Sequence, residues 1–180
     1  MNIKKSLIYL TVSGSQAYGT STPESDWDLC GVGVGTLQSY FGTRPWEQTQ
    51  ELDPCLLDHL KVRVPDIKEE DAESVIYNVA KFLRLSANAN PNILDILFSD
   101  PRDWLYSTEL WEEIHARRHE FLSMKVRHTY TGYAMSQLKR IKSHRAWLLD
   151  PPKAKPTREE FGLPVAKSLV PRDIQDLANS

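Results

Sequence analysis

The hydrophobic and polar positions divide the chain into a strand-rich first part and a helix-rich second part. Ser6 to Val12 (SLIYLTV) is rich in β-branched and aromatic residues and stops just before Gly14, which predicts a buried strand. Gly14 to Ser25 is dense in Gly, Ser, Thr and Pro and predicts a loop or a short helical turn. Trp27 to Val34 (WDLCGVGV) predicts a second strand with Asp26 at its entrance, and Leu60 to Val64 (LKVRV) alternates as a half-exposed strand does. Gly35 to Asp58 carries no clear period.

Helical spacing takes over after that. Val75, Val79, Phe82, Leu83 and Ser86 fall on one face and predict a helix from Ser74 to Ala87. Asn90-Pro91-Asn92 ends it, and Asn92 is expected to cap a short helix through Phe98. Further helices are expected over Thr108 to Arg118 and Leu122 to Leu148. In the last, Val126, Tyr130, Tyr133, Ala134, Leu138, Ile141, Arg145 and Leu148 recur at helical spacing, until Asp150-Pro151-Pro152 stops it. The expected division is a core over residues 1–100, a helical extension over 101–150 and a proline-rich tail over 151–180, read as the start of a further segment.

Composition narrows the class. The chain has 180 residues, 41% of them hydrophobic and 26% charged, ordinary values for a globular protein. No apolar run approaches the roughly 20 residues of a membrane helix, and the start MNIKK makes a poor secretory signal, so a cytoplasmic protein without a membrane partner is expected. Cys30 and Cys55, the two cysteines, make neither a disulfide framework nor a four-ligand zinc site. The net charge of −2 does not announce a nucleic-acid binder. Charge is uneven, however: Lys139, Arg140, Lys142, His144 and Arg145 crowd one stretch, and Lys68 to Glu73 is mostly acidic.

Chemistry concentrates in Ser13 to Gly33, SGSQAYGTSTPESDWDLCGVG. Phosphoryl transfer from a triphosphate is mainly positioning and charge neutralisation. It calls for a tight turn offering backbone amides to phosphate and for carboxylates that gather divalent metal. Gly14-Ser15 after a strand supplies the turn, because Gly lets backbone approach a phosphate closely and Ser adds a hydroxyl. Asp26 and Asp28, two apart on a strand, point to one face and repel each other unless a cation lies between them. Alone, Gly-Ser is a common turn and Asp-x-Asp a common solvated strand end; the combination carries the weight.

The stretch resembles the G-S…D-x-D signature of DNA polymerase β superfamily nucleotidyltransferases. The longer string GSQAYGTSTPESDWDLCGV, with YNVAKFLRLSANANPNILDILF (Tyr77 to Phe98) and HTYTGYAMSQLKRI (His128 to Ile141), is similar to an RNA-repair-pathway branch of that superfamily. The resemblance implies an α+β fold, a small mixed β-sheet flanked by helices and followed by a helical C-terminal part. It implies metal binding by Asp26 and Asp28, as two Mg²⁺ ions with Mn²⁺ as the substitute, and phosphate binding by Gly14 and Ser15. It also implies a third carboxylate on a neighbouring strand. Glu73 stands where the branch carries Asp, with Asp71 and Asp58 as rivals, and a solvated acidic run accounts for Glu73 equally well.

Ser25 and Lys81 are added as nucleotide-binding candidates. Lys81 and Arg84 lie on a helix near the third carboxylate, where a solvated face is the plainer reading. Lys139, Lys142 and Arg145, with Trp147 and Tyr133 on the same helix, are candidates for RNA. Tyr18 is read as stacking on a base or packing in the core, and Asn90 and Asn92 as turn and capping residues. The expected activity is Mg²⁺-dependent transfer of a nucleoside monophosphate from a triphosphate to an acceptor hydroxyl on an RNA end, releasing pyrophosphate. A protein acceptor, or a truncated or degenerate module that only binds nucleotide or RNA, are the alternatives. The nucleotide and the oligomeric state stay open.

Overall fold

The computed structural model describes residues 3–43, 45–149, 151 and 157–162. Its centre is a five-stranded mixed sheet. The strands are β1 (Leu7–Ser13), β2 (Trp27–Gly33), β3 (Gln48–Thr49), β4 (Ala72–Asn78) and β5 (Trp104–Ser107), in the order β3-β4-β2-β1-β5. β2 and β4 are parallel; every other pair is antiparallel. The helices are α1 (Ile3–Ser6), α2 (Gly14–Tyr18), α3 (Leu37–Phe41), α4 (Pro54–Arg63), α5 (Val79–Ala87), α6 (Pro91–Leu97), α7 (Glu109–Ala116) and α8 (Lys125–Leu149). This is the α+β fold that the resemblance implied.

The sheet is covered on both faces, which is why β1 reads as a continuous apolar run rather than an alternation. Leu10, Val12, Leu29 and Ile76 pack on one side against Leu56, Leu57 and Leu60 of α4. Tyr9 and Val32 pack on the other against Phe82 of α5, Ile93 and Leu97 of α6 and Trp111 of α7. Tyr9 stacks on Trp111 with ring centroids 3.7 Å apart, and Phe82 meets Trp111 edge-on.

Three elements differ from the sequence expectation. Leu60 to Val64 is the end of helix α4, not a strand. Pro54 opens α4, Asp53 accepts from Cys55 N at 2.9 Å, and the buried set Leu56, Leu57, Leu60 has helical spacing, while Val62 is 86% exposed. The period-two pattern of LKVRV was the coincidence of five residues. The helix expected from Ser74 begins only at Val79. Before it, Ala72, Ser74, Ile76 and Asn78 alternate as the buried positions of β4, and the Asn78 side chain accepts from Ala80 N at 2.8 Å to start α5. The cap of α6 is Asn90, which accepts from Ile93 N at 3.3 Å, with Pro91 in the first turn; Asn92 lies inside the helix.

The sheet takes its edge strand β5 from beyond residue 100, where Tyr9 pairs with Ser107 and Leu10 with Tyr106. The chain separates into two compact units, 1–133 and 134–180. In the first, Val126 and Tyr130 of α8 pack against the helical side of the core. In the second, Leu138, Ile141 and Leu148, part of the expected apolar stripe, are exposed. Of the proline-rich tail, residues 152–156 and 163–180 lie outside the described residues, as does the Trp147 side chain. Among the described residues no helix is long and apolar enough to cross a membrane.

Candidate functional site

β1 ends at Ser13, whose hydroxyl donates to the Asp28 carbonyl at 3.3 Å and lies 3.6 Å from Cys30 Sγ. The chain then turns at Gly14, φ +62°, into the single turn of α2, which Gly19 closes at φ +67°. The turn brings Gly14 onto Asp28: a Cβ added to Gly14 would stand 2.0 Å from Asp28 Oδ2 and 2.9 Å from Cγ. Glycine is required here twice over, for the left-handed backbone and for the space.

The parallel pairing of β2 with β4 sets Asp28 opposite Glu73 and Trp27 opposite Ala72. Alternation along both strands turns Asp28 and Glu73 to one face. A cavity of about 460 Å³ opens there, lined by Ser13, Gly14, Asp28, Cys30, Glu73 and Gln50, among others. Burial pushes the Cys30 thiol up, against the opposing hydrogen bond from Ser13, so it stays protonated and adds no charge to the cavity.

The remaining candidates fall in several places. Asp26 is exposed, one residue before β2, and does not line that cavity. Ser15 is half-buried in the first turn of α2. Ser25 closes the turn leading to Asp26: its hydroxyl accepts from Thr22 N at 2.9 Å, and its carbonyl accepts from Gln16 Nε2 at 3.4 Å. Lys81 is held away from the cavity, its ammonium 2.9 Å from Glu47 and 3.0 Å from Gln48. Arg84 joins the same Glu47, and the hydrogen bond from Lys81 leads in holding the Glu47 carboxyl below its ordinary range. Asp58 is exposed on α4 and Asp71 in the turn before β4; neither lines the cavity that Glu73 lines. Lys139, Lys142 and Arg145 are exposed on α8, in the second unit. Among the described residues no three His, Cys, Asp or Glu side chains converge closely enough to hold a metal ion by themselves.

The sequence pattern of RlaP, the RNA repair pathway DNA polymerase beta family, matches residues 2–150. The chain belongs to that family. The match covers the whole sheet and all of α8, so the RlaP pattern embraces both the carboxylate cavity and the basic helix. No curated protein matches the chain.

Asp95 and Tyr77 went unmarked in the sequence. A second cavity, about 340 Å³, shares Ser13, Gly14 and Cys30 with the first and is lined further on by Tyr18, Tyr77, Asn92, Asp95 and Tyr133. Asp95 accepts from Tyr18 at 3.2 Å and from Tyr130 at 2.9 Å. The signal was an exposed Asp in PNILDIL, three residues after Asn92 and so on the same helix face.

Proposed function

We propose that this RlaP-family chain is a nucleotidyltransferase that moves a nucleoside monophosphate from a triphosphate to an acceptor hydroxyl, with release of pyrophosphate. The observation that carries the reading is the pairing of Asp28 with Glu73 on adjacent strands, with Asp28 directly against Gly14. The donor set is carboxylate oxygen, which suits the hard ions Mg²⁺ and Mn²⁺. Asp26, Asp28 and Glu73 would hold the metal. Bound there, two such ions supply charge neutralisation at the attacking and leaving oxygens.

The chain's own groups do the rest. The turn at Gly14, whose missing side chain leaves room for Asp28, and the Ser15 hydroxyl would bind the phosphates. Glu73 is the carboxylate that takes the proton of the attacking hydroxyl. The acceptor we propose is an RNA end, supported by the family's description and by Lys139, Lys142 and Arg145 along α8. A binding-only module is the second reading, and the exposure of Asp26 favours it.

The test is transfer from each of four α-³²P-labelled triphosphates to total RNA with Mg²⁺, against an Asp26→Ala/Asp28→Ala double variant. Label on RNA that the variant fails to add is the expected result. Label on protein instead would change the acceptor class. Triphosphate binding without pyrophosphate release would establish the binding-only reading.

A further inference from the structure

The second cavity continues the carboxylate cavity along the same face of the sheet, since Ser13, Gly14 and Cys30 line both. A triphosphate whose phosphates lie at Gly14 could reach this second cavity with its nucleoside end, beside the rings of Tyr18, Tyr77 and Tyr133. Tyr18 is 65% exposed, an aromatic surface that a stacked base would cover.

The polar groups in this cavity have a pattern. An ionised carboxylate offers about four lone pairs, two on each oxygen. In Asp95, Tyr18 occupies one on Oδ2 and Tyr130 one on Oδ1. One acceptor position remains on each oxygen, and Asp95 is exposed. The two tyrosines stay protonated as donors, because burial first, and then the charge of Asp95 and the hydrogen bond to it, push their hydroxyl pKa values up. Asn92, exposed one turn earlier on α6, adds an amide N–H₂ to the same wall. With the Asn92 N–H₂ turned to the cavity, the wall would offer one donor followed by the two acceptor positions of Asp95.

Guanine is the base whose pairing edge complements that order. It presents an acceptor, O6, followed by two adjacent donors, N1–H and N2–H. Adenine and cytosine each set one amino group beside a ring nitrogen acceptor, and uracil sets a single N–H between two carbonyls. Against Asp95, each of these leaves an acceptor facing an acceptor. We infer that the Asn92–Asp95 face of α6 selects a guanine nucleotide, with Asp95 accepting from N1–H and N2–H, Asn92 donating to O6, and the tyrosines flanking the ring. This rests on the reading of the chain as a user of nucleoside triphosphates.

The experiment is equilibrium binding of GTP, ATP, CTP and UTP to the full chain with Mg²⁺, by titration calorimetry. GTP is expected to bind at least tenfold more tightly than the other three. ITP, which lacks the 2-amino group, falls between GTP and ATP. Asp95→Asn exchanges one acceptor for a donor, so it loses the preference for GTP and gains affinity for XTP, whose 2-carbonyl matches the new amide. Asp28→Ala is expected to weaken all four triphosphates without changing their order. Equal affinity for the four in the unaltered chain, or a GTP preference that survives Asp95→Asn, would overturn the inference while leaving triphosphate use intact. If no triphosphate binds, the proposed function falls and the base selectivity with it.

Discussion

The backbone of Gly14 and the carboxylate of Asp28 fill adjoining space, so closely that a methyl group on Gly14 would stand 2.0 Å from Asp28 Oδ2. Gly19, at the other end of the same helical turn, has an equal left-handed backbone, φ +67°, but nothing within 4 Å of its absent Cβ. The pair separates strain from occlusion. Gly14→Ala and Gly19→Ala each carry a backbone strain cost of order 1–3 kcal/mol. Only Gly14→Ala should also displace Asp28. Urea melts are expected to show both variants destabilised, and transfer assays below the melting range to show activity lost in Gly14→Ala alone.

The register of β2 on β4 distinguishes Glu73 from the other acidic candidates. Glu73→Gln keeps the side chain's size and removes its charge and basicity, so transfer should fall by about 100-fold or more, the usual contribution of a positioned base. Asp58→Asn and Asp71→Asn change groups outside the cavity and should leave transfer within about twofold. Loss of activity on altering Asp71 with Glu73→Gln active would move the third carboxylate two residues back along the chain.

Lys81 tests the opposite case. Its ammonium is held by Glu47 and Gln48, and Arg84 is paired to the same Glu47. Lys81→Ala should leave the affinity for Mg²⁺-triphosphate within about twofold, because an exposed ion pair contributes little and the cavity loses no lining group. A loss beyond tenfold in binding would show that Lys81 leaves Glu47 when nucleotide arrives.

The fold was legible where a strand is buried on both faces or where Gly and Asp mark its ends, as in β1 and β2. It was illegible where two periods fit the same residues. Val75 lies in register with Val79 and Phe82 on a helix, and it also belongs to the alternation of β4. Only the Asn78 cap, a tertiary choice that also uses Trp46 O at 3.0 Å, separates the two. β5 is four residues long, too short to announce itself. Asp28 and Gly14 could be read from the motif alone, but the Asp95 site could not. Its tyrosines come from positions 18 and 130, on either side of α6 in sequence, and local spacing carries no trace of such meetings.

The capping of α6 gives a prediction in which stability and binding part company. Asn90 accepts from Ile93 N and starts the helix, whereas Asn92 is exposed on the cavity wall. Asn90→Ala should cost about 1 kcal/mol of stability. Asn92→Ala should leave stability unchanged or raise it by a few tenths of a kcal/mol, since Ala is the better helix former, yet weaken GTP several-fold. Thermal melts and GTP titrations on the two variants would check this; a larger stability loss in Asn92→Ala would return the cap to the later Asn.

Tyr9 is expected to set an alkaline limit on the fold. It is buried in the sheet, stacked on Trp111, and its hydroxyl bonds Ser99. Desolvation by burial raises its pKa from 10.0 to about 12, outweighing the Ser99 hydrogen bond that acts the other way. The folded-state value is the higher one, so the unfolded chain gives up this proton first as pH rises. The stability tied to neutral Tyr9 is therefore fully present below pH 10.0 and is lost between 10.0 and about 12. That rise corresponds to about 2–3 kcal/mol. Urea midpoints measured from pH 8 to 11.5 should fall steeply above pH 10. Tyr9→Phe should start from a lower midpoint at pH 8, having lost its bond to Ser99, and decline less steeply. Parallel declines in the two proteins would assign the alkaline loss to the exposed tyrosines and lysines instead.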